Sequence, residues 1–186
     1  MRTRVLGRFL MVAAAITATA LASSKTVPAG PRTDEDLAKA VRHEVVRYPR
    51  YTLWDDISFR VNNGNVELMG AVNQPYKKDD IARLVKSVPG VETVTNEIKV
   101  LPLSPNDDRL RIQVARAIFR DPNLSRYAMG AVPSIHIIVD NGHVTLAGVV
   151  GSAMDKQLAG MRASGAGLSF GPVDNRLTID NQKHKS

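Results

Sequence analysis

Apolar residues recur at helical spacing from Leu37 through Val41 to Val45, and again from Leu110 through Val114 to Ile118. Each stripe is followed by alternating apolar and polar positions around an Asn-Gly pair, Asn63-Gly64 in the first case and Asn141-Gly142 in the second. A two-residue type I′ turn at each pair predicts a hairpin. It sets Val61 opposite Val66, Phe59 opposite Leu68, Ile57 opposite Gly70 and Arg60 opposite Glu67; in the second copy Val139 meets Val144, Ile137 meets Leu146 and Ile135 meets Gly148. One face of each hairpin is then apolar and the other polar. A second helix follows from Tyr76 to Ser87, with Ile81, Leu84 and Val85 on one side, and it ends before Pro89-Gly90. Val94, Ile98 and Val100 then alternate as a strand. In the second copy Ser152 and Asp155 cap a helix over 153–163, the Gly165-Ala166-Gly167 turn follows, and Val173, Leu177 and Ile179 form the last strand. Gly160 weakens that helix by about 1 kcal/mol relative to alanine. The order α-β-β-α-β is therefore written twice.

Punctuation along the chain sets the boundaries. Thr33-Asp34-Glu35-Asp36 has the form of a capping box, so order begins at Thr33, after a Pro- and Gly-containing spacer over 23–32. The first domain spans 33–101, a stiff linker with two prolines 102–105, the second domain 106–181, and a basic tail 182–186. Units of roughly 70 residues bury little surface alone, so mutual packing is expected.

Composition changes this picture mainly at the N-terminus. Arg2, Arg4 and Arg8 precede an uncharged apolar run from Phe9 to Leu21 and the small-residue site Ala20-Leu21-Ala22, the pattern of a secretory signal peptide over 1–22 cleaved near Ala22. An uncleaved anchor is the alternative, but about 13 apolar residues fall short of the roughly 20 that span a bilayer. A periplasmic or secreted protein is expected. The chain has no cysteine, which excludes disulfides, thiol catalysis and a lipidated cysteine. Of the formal charge of +7, the three leader arginines account for part; without them 22 basic residues face 18 acidic ones, a surplus of +4. That surplus suits anionic surfaces and is too small to argue for nucleic acid.

The repeated residues carry a family resemblance. Asp36-Leu37 and the stripe after it, the hairpin from Val61 to Gly70, and the closing run from Val88 to Ile98 resemble the BON domain, the module named after bacterial osmotically inducible and nodulation proteins. The second repeat is similar through Val139 to Val150 and Val173 to Leu177. It departs from the pattern by about five extra residues before its hairpin, and by Ser169-Phe170-Gly171-Pro172-Val173 in place of Val-Pro-Gly-Val. The resemblance implies an α+β fold of two αββαβ domains, each a three-stranded mixed sheet packed on two helices. It also implies export to the periplasm or envelope, phospholipid binding, and no catalytic residues.

Candidate chemistry is sparse. The histidines, His43, His136, His143 and His184, do not converge, since the register separates His136 from His143 by roughly 13 Å along the sheet. No metal, cofactor or nucleic-acid partner is expected. The carboxylate pairs Asp34/Asp36, Asp79/Asp80 and Asp107/Asp108 lie near helix starts, where negative charge is favourable anyway; Asp55/Asp56 is the fourth pair. No Walker or H-E-x-x-H motif occurs, so an enzyme is not expected. Asn63, Gly64, Asn141 and Gly142 are structural turn residues.

The helix expected over 109–120 is the more informative site. With Leu110, Val114, Ala117 and Ile118 facing the core, a 100° step puts Ile112, Ala115 and Phe119 on the other side, bracketed by Arg109, Arg116 and Arg120. Such a ridge fits an anionic phospholipid membrane surface, but docking against the first repeat or on an envelope protein would use the same pattern. The ring-rich segment Arg47, Tyr48, Arg50, Tyr51, Trp54 is a second candidate, suited either to a membrane interface or to the core edge below the hairpin. The expected function is binding of anionic phospholipid in the envelope under osmotic or other stress; the alternative is a protein-interaction adaptor without lipid affinity.

Overall fold

A computed structural model describes residues 33–130, 132–167 and 169–180. The signal peptide, the 23–32 spacer and the basic tail 182–186 lie outside the described residues. The first domain runs α1 (Asp34–Arg47), β1 (Asp56–Asn62), β2 (Asn65–Val72), α2 (Pro75–Lys86), β3 (Thr93–Asn96) and β4 (Lys99–Val100). The second repeats it as α3 (Pro105–Phe119), β5 (Ile135–Asp140), β6 (His143–Val150), α4 (Ala153–Ser164), β7 (Asp174–Asn175) and β8 (Thr178–Ile179), with a 3₁₀ turn at Ser125–Ala128. The fold is α+β with two mixed sheets, the hairpin pairs running antiparallel and the last strand parallel to β2 or β6.

Both hairpins take the register read from the pattern, and Asn63 and Asn141 adopt positive φ of 48° and 51° ahead of their glycines. Each sheet packs its apolar face on its own two helices: Leu37, Val41, Leu68, Ile81 and Ile98 centre one core, and Val114, Ile118, Ile137, Leu146 and Leu177 the other. Val-Pro-Gly-Val and its divergent counterpart do the same work, since Glu92 N–H donates to Gly64 O at 2.8 Å and Phe170 N–H to Gly142 O at 2.9 Å.

Three elements differ from the sequence expectation. α3 begins at Pro105, four residues before Arg109, because the Ser104 side chain accepts from Asp107 N–H and Pro105 takes the first turn, where no backbone donor is needed. The prolines read as spacer thus include a helix start. The third strand is broken rather than continuous. Asn96 turns its amide into the chain, accepting from Ile98 N–H at 3.2 Å and donating to Lys78 O at 3.0 Å; Asn175 repeats this with Leu177 N–H at 3.3 Å and Lys156 O at 2.7 Å. The shared Val-x-Asn-x-Ile/Leu pattern is this strand break tied to the second helix. It also accounts for Gly160, where a Cβ would stand 2.7 Å from the Asn175 amide nitrogen. The third difference concerns Leu53 and Trp54, which pack on the core of the second domain and not below their own hairpin.

Candidate functional site

Each repeat clamps its hairpin turn with a carboxylate from the first helix. Asp34 accepts from Asn63 N–H at 2.9 Å and Gly64 N–H at 3.4 Å; Asp107, buried, accepts from Asn141 N–H and Gly142 N–H, both at 2.9 Å. Two carboxylates read as helix caps therefore also satisfy the turn donors that a left-handed Asn leaves facing the helix.

A second repeated device is a buried polar latch below the second helix, built with opposite chemistry in the two copies. In the first domain the buried Asp55 carboxylate accepts from Thr52 N–H, from Asn73 N–H at 3.1 Å and from the buried Lys77 ammonium at 2.6 Å. In the second, the Tyr127 hydroxyl takes the place of the loop carboxylate: it accepts from Gly151 N–H at 2.7 Å and donates to Asp155 at 2.8 Å. Burial pushes the Asp155 carboxyl up, but hydrogen bonds from Ser152 and Tyr127 and the Arg126 charge outweigh it and hold the group below the usual carboxylate range.

The ring-rich segment makes the seam between the domains. Ile137 N–H donates to Leu53 O at 2.8 Å, the Tyr51 ring lies 5.3 Å from that of His136, and Lys99 pairs with Asp140. Tyr48 turns the other way, donating its hydroxyl to Asp80 at 2.7 Å within its own domain. Burial lowers the pKa of His136 despite the Asp56 charge and the backbone carbonyls of Asp55 and Thr52 facing it. The unfolded imidazole protonates near 6.5 and the folded one only at lower pH, so the unfolded state gains protons first as pH falls. Stability is expected to decline from pH 7.5 to 5.5, measured as the urea midpoint, with a shallower decline in His136→Gln. The depressed carboxyls of Asp80, Asp121 and Asp155 act only below about pH 4.

On α3 the expected ridge divides. Arg109, Arg116 and Arg120 are exposed, as is Ile112 at 44%, whereas Ala115 and Phe119 are half-buried against the core of their own domain. Phe119 is therefore not on the face opposite the core. The helix leans over the β5 edge, where the Arg111 guanidinium reaches Val139 O at 2.7 Å, and this rotation draws the Ala115 and Phe119 side inward. Among the described residues, none of Arg109, Arg116 and Arg120 forms an ion pair with a carboxylate. Met161 of α4 is exposed and lines the same shallow hollow as Arg120. Among the described residues no helix is long and apolar enough to cross a membrane, and no group of three His, Asp or Glu could hold a metal ion.

A comparison with curated proteins finds no match. Among solved structures, CdsD, a structural protein of the Type III secretion system of Chlamydia trachomatis, is similar at 16% identity and a TM-score of 0.32, over 79% of this chain and 62% of that one. The C-terminal domain of CdsD is similar at 16% identity and a TM-score of 0.32, over 81% of this chain and 68% of that one. This chain thus spans less than two thirds of the first of them. The BON domain model matches twice, at residues 33–102 and 106–181, and these two copies take up nearly all of the described structure. The duplicated hairpin, turn clamp and broken third strand are the two copies of one module, and the chain belongs to the BON domain family.

Proposed function

We propose that this protein is a non-enzymatic component of the periplasm or envelope that binds anionic phospholipid surfaces through the outer side of α3, supporting envelope integrity under osmotic or other stress. The observation that carries this reading is the exposed Ile112 set among Arg109, Arg116 and Arg120, guanidiniums with no carboxylate partner among the described residues. Arginine not already paired with a carboxylate can pair bidentately with phosphate, and a single aliphatic side chain between such groups enters the headgroup boundary at low cost. Met161 is exposed on α4 and lines a hollow together with Arg120.

Flotation of the chain from Ser23 onward with anionic and zwitterionic vesicles tests it. Binding is expected to anionic vesicles only, to weaken with salt, and to fall at least about fivefold in Arg116→Glu, since each cation near an anionic surface contributes about 1 kcal/mol. Equal binding to zwitterionic vesicles, or an unaffected Arg116→Glu, would remove α3 from the proposal.

A further inference from the structure

The second domain covers the middle of its free sheet edge with its own chain and a guanidinium, and among the described residues the first does not do so at Phe59 and Val61. In a two-residue hairpin the residues flanking the turn bond to each other, so alternate residues of the outer strand turn their N–H and C=O away from the partner strand. In β5 these are Ile135, Ile137 and Val139; in β1 they are Ile57, Phe59 and Val61. Two of the β5 groups are taken up, Ile137 N–H by Leu53 O at 2.8 Å and Val139 O by the Arg111 guanidinium at 2.7 Å, whereas at β1 the Tyr51 hydroxyl meets Ile57 N–H at the start of the strand. β5 is buried throughout its apolar length, while Ile57, Phe59 and Val61 are only half-buried.

By the repeat, Phe59 stands for Ile137, Val61 for Val139, and Ala38 for Arg111. The Ala38 methyl offers no donor, and among the described residues no strand pairs with β1 on that side. A cleft of about 630 Å³ lies there instead, between α1, β1 and the 132–136 segment. Its walls include Val46, Phe59 and Val132; its rim carries Arg42, which has no ion pair among the described residues, whereas Lys39 is matched to Glu35 at 2.9 Å. His136, 8% exposed, also lines it, and its Nδ1 has no hydrogen-bond partner.

We infer that this cleft receives an extended segment of a partner protein, added as a strand along β1, with apolar side chains against Val46 and Phe59 and a carboxylate on Arg42. An acyl chain would fill the walls but leave the backbone groups of Phe59 and Val61 unpaired, whereas main chain satisfies them, as Leu53 does at β5. The segment that fills the β5 edge has the matching chemistry, since Leu53-Trp54 is followed by Asp55-Asp56.

The test uses a fluorescein-labelled peptide of the sequence 49–57 with the full chain, read by anisotropy and by amide hydrogen exchange. Saturable binding with slowed exchange at Phe59 is expected. Ala38→Arg, which installs at β1 the guanidinium that Arg111 supplies at β5, is expected to weaken binding at least tenfold with an unchanged urea midpoint. Arg42→Glu is expected to weaken it about as much, and tests the site even if Ala38→Arg does not fold. No binding, binding that neither substitution alters, or protection at β5 alone would overturn the inference. So would displacement by dodecyl phosphate without slowed exchange at Phe59, which would mark an acyl pocket.

Discussion

Replacing Lys77 by alanine is expected to lower stability by about 3–5 kcal/mol. Lys77 is 3% exposed and its Nζ lies 2.6 Å from an Asp55 carboxylate that is fully buried. Removing the ammonium leaves that carboxylate desolvated with only the Thr52 and Asn73 donors, and the same variant strips Asn73 Oδ1 of its donor at 2.7 Å. The penalty is that of an uncompensated buried charge and not the net contribution of the pair. The double variant Asp55→Leu with Lys77→Met, which removes both charges, is therefore expected to be more stable than Lys77→Ala alone. Urea unfolding followed by circular dichroism decides it. A loss under 1 kcal/mol for Lys77→Ala would mean that water reaches the pair. The second domain supplies an internal control, because its latch places a neutral Tyr127 hydroxyl where Asp55 stands, and Tyr127→Phe is the milder lesion.

The latch also marks where the sequence was legible and where it was not. Hairpins, helices and their order could be read because Asn-Gly turns and apolar periodicity are local signals, each complete within about ten residues. The α3 start was equally local, a serine cap before a proline, but two prolines in five residues invited a spacer reading. The strand break at Asn96 and Asn175 was present as a repeated letter without its reason, because the asparagine acts on Lys78 O and Lys156 O, some eighteen residues away in sequence. The latch escaped for a different reason. Lys77 and Asp155 occupy the same structural position with opposite charge, so comparing the repeats by residue type hides an equivalence that only hydrogen-bond geometry reveals. The seam between domains was least legible. Leu53 and Trp54 belong to the first repeat in sequence and to the second repeat's core in space, and no periodicity in the eight-residue loop between α1 and β1 carries that information.

Phe119→Asp is the other substitution with a large expected effect, about 3 kcal/mol, and it bears directly on how the α3 face is interpreted. The ring is half-buried against the core beside Ala115, so the change removes apolar contact and sets a carboxylate at a desolvated edge. Ile112, seven residues earlier on the same expected ridge, is 44% exposed, and Ile112→Asp is expected to change stability by less than about 0.5 kcal/mol. The two variants separate a structural role from a docking role that helical spacing alone conflates. If α3 meets an anionic bilayer, Ile112→Asp weakens flotation while the urea midpoint holds, and Phe119→Asp loses flotation only in step with folding. The reverse result, a stable Phe119→Asp that no longer floats, would mean that the ring leaves the core edge to enter the lipid. The membrane-facing side of α3 would then be rotated toward Ala115, and the arginines to test first would be those nearest Phe119 in sequence, Arg120 and Arg116.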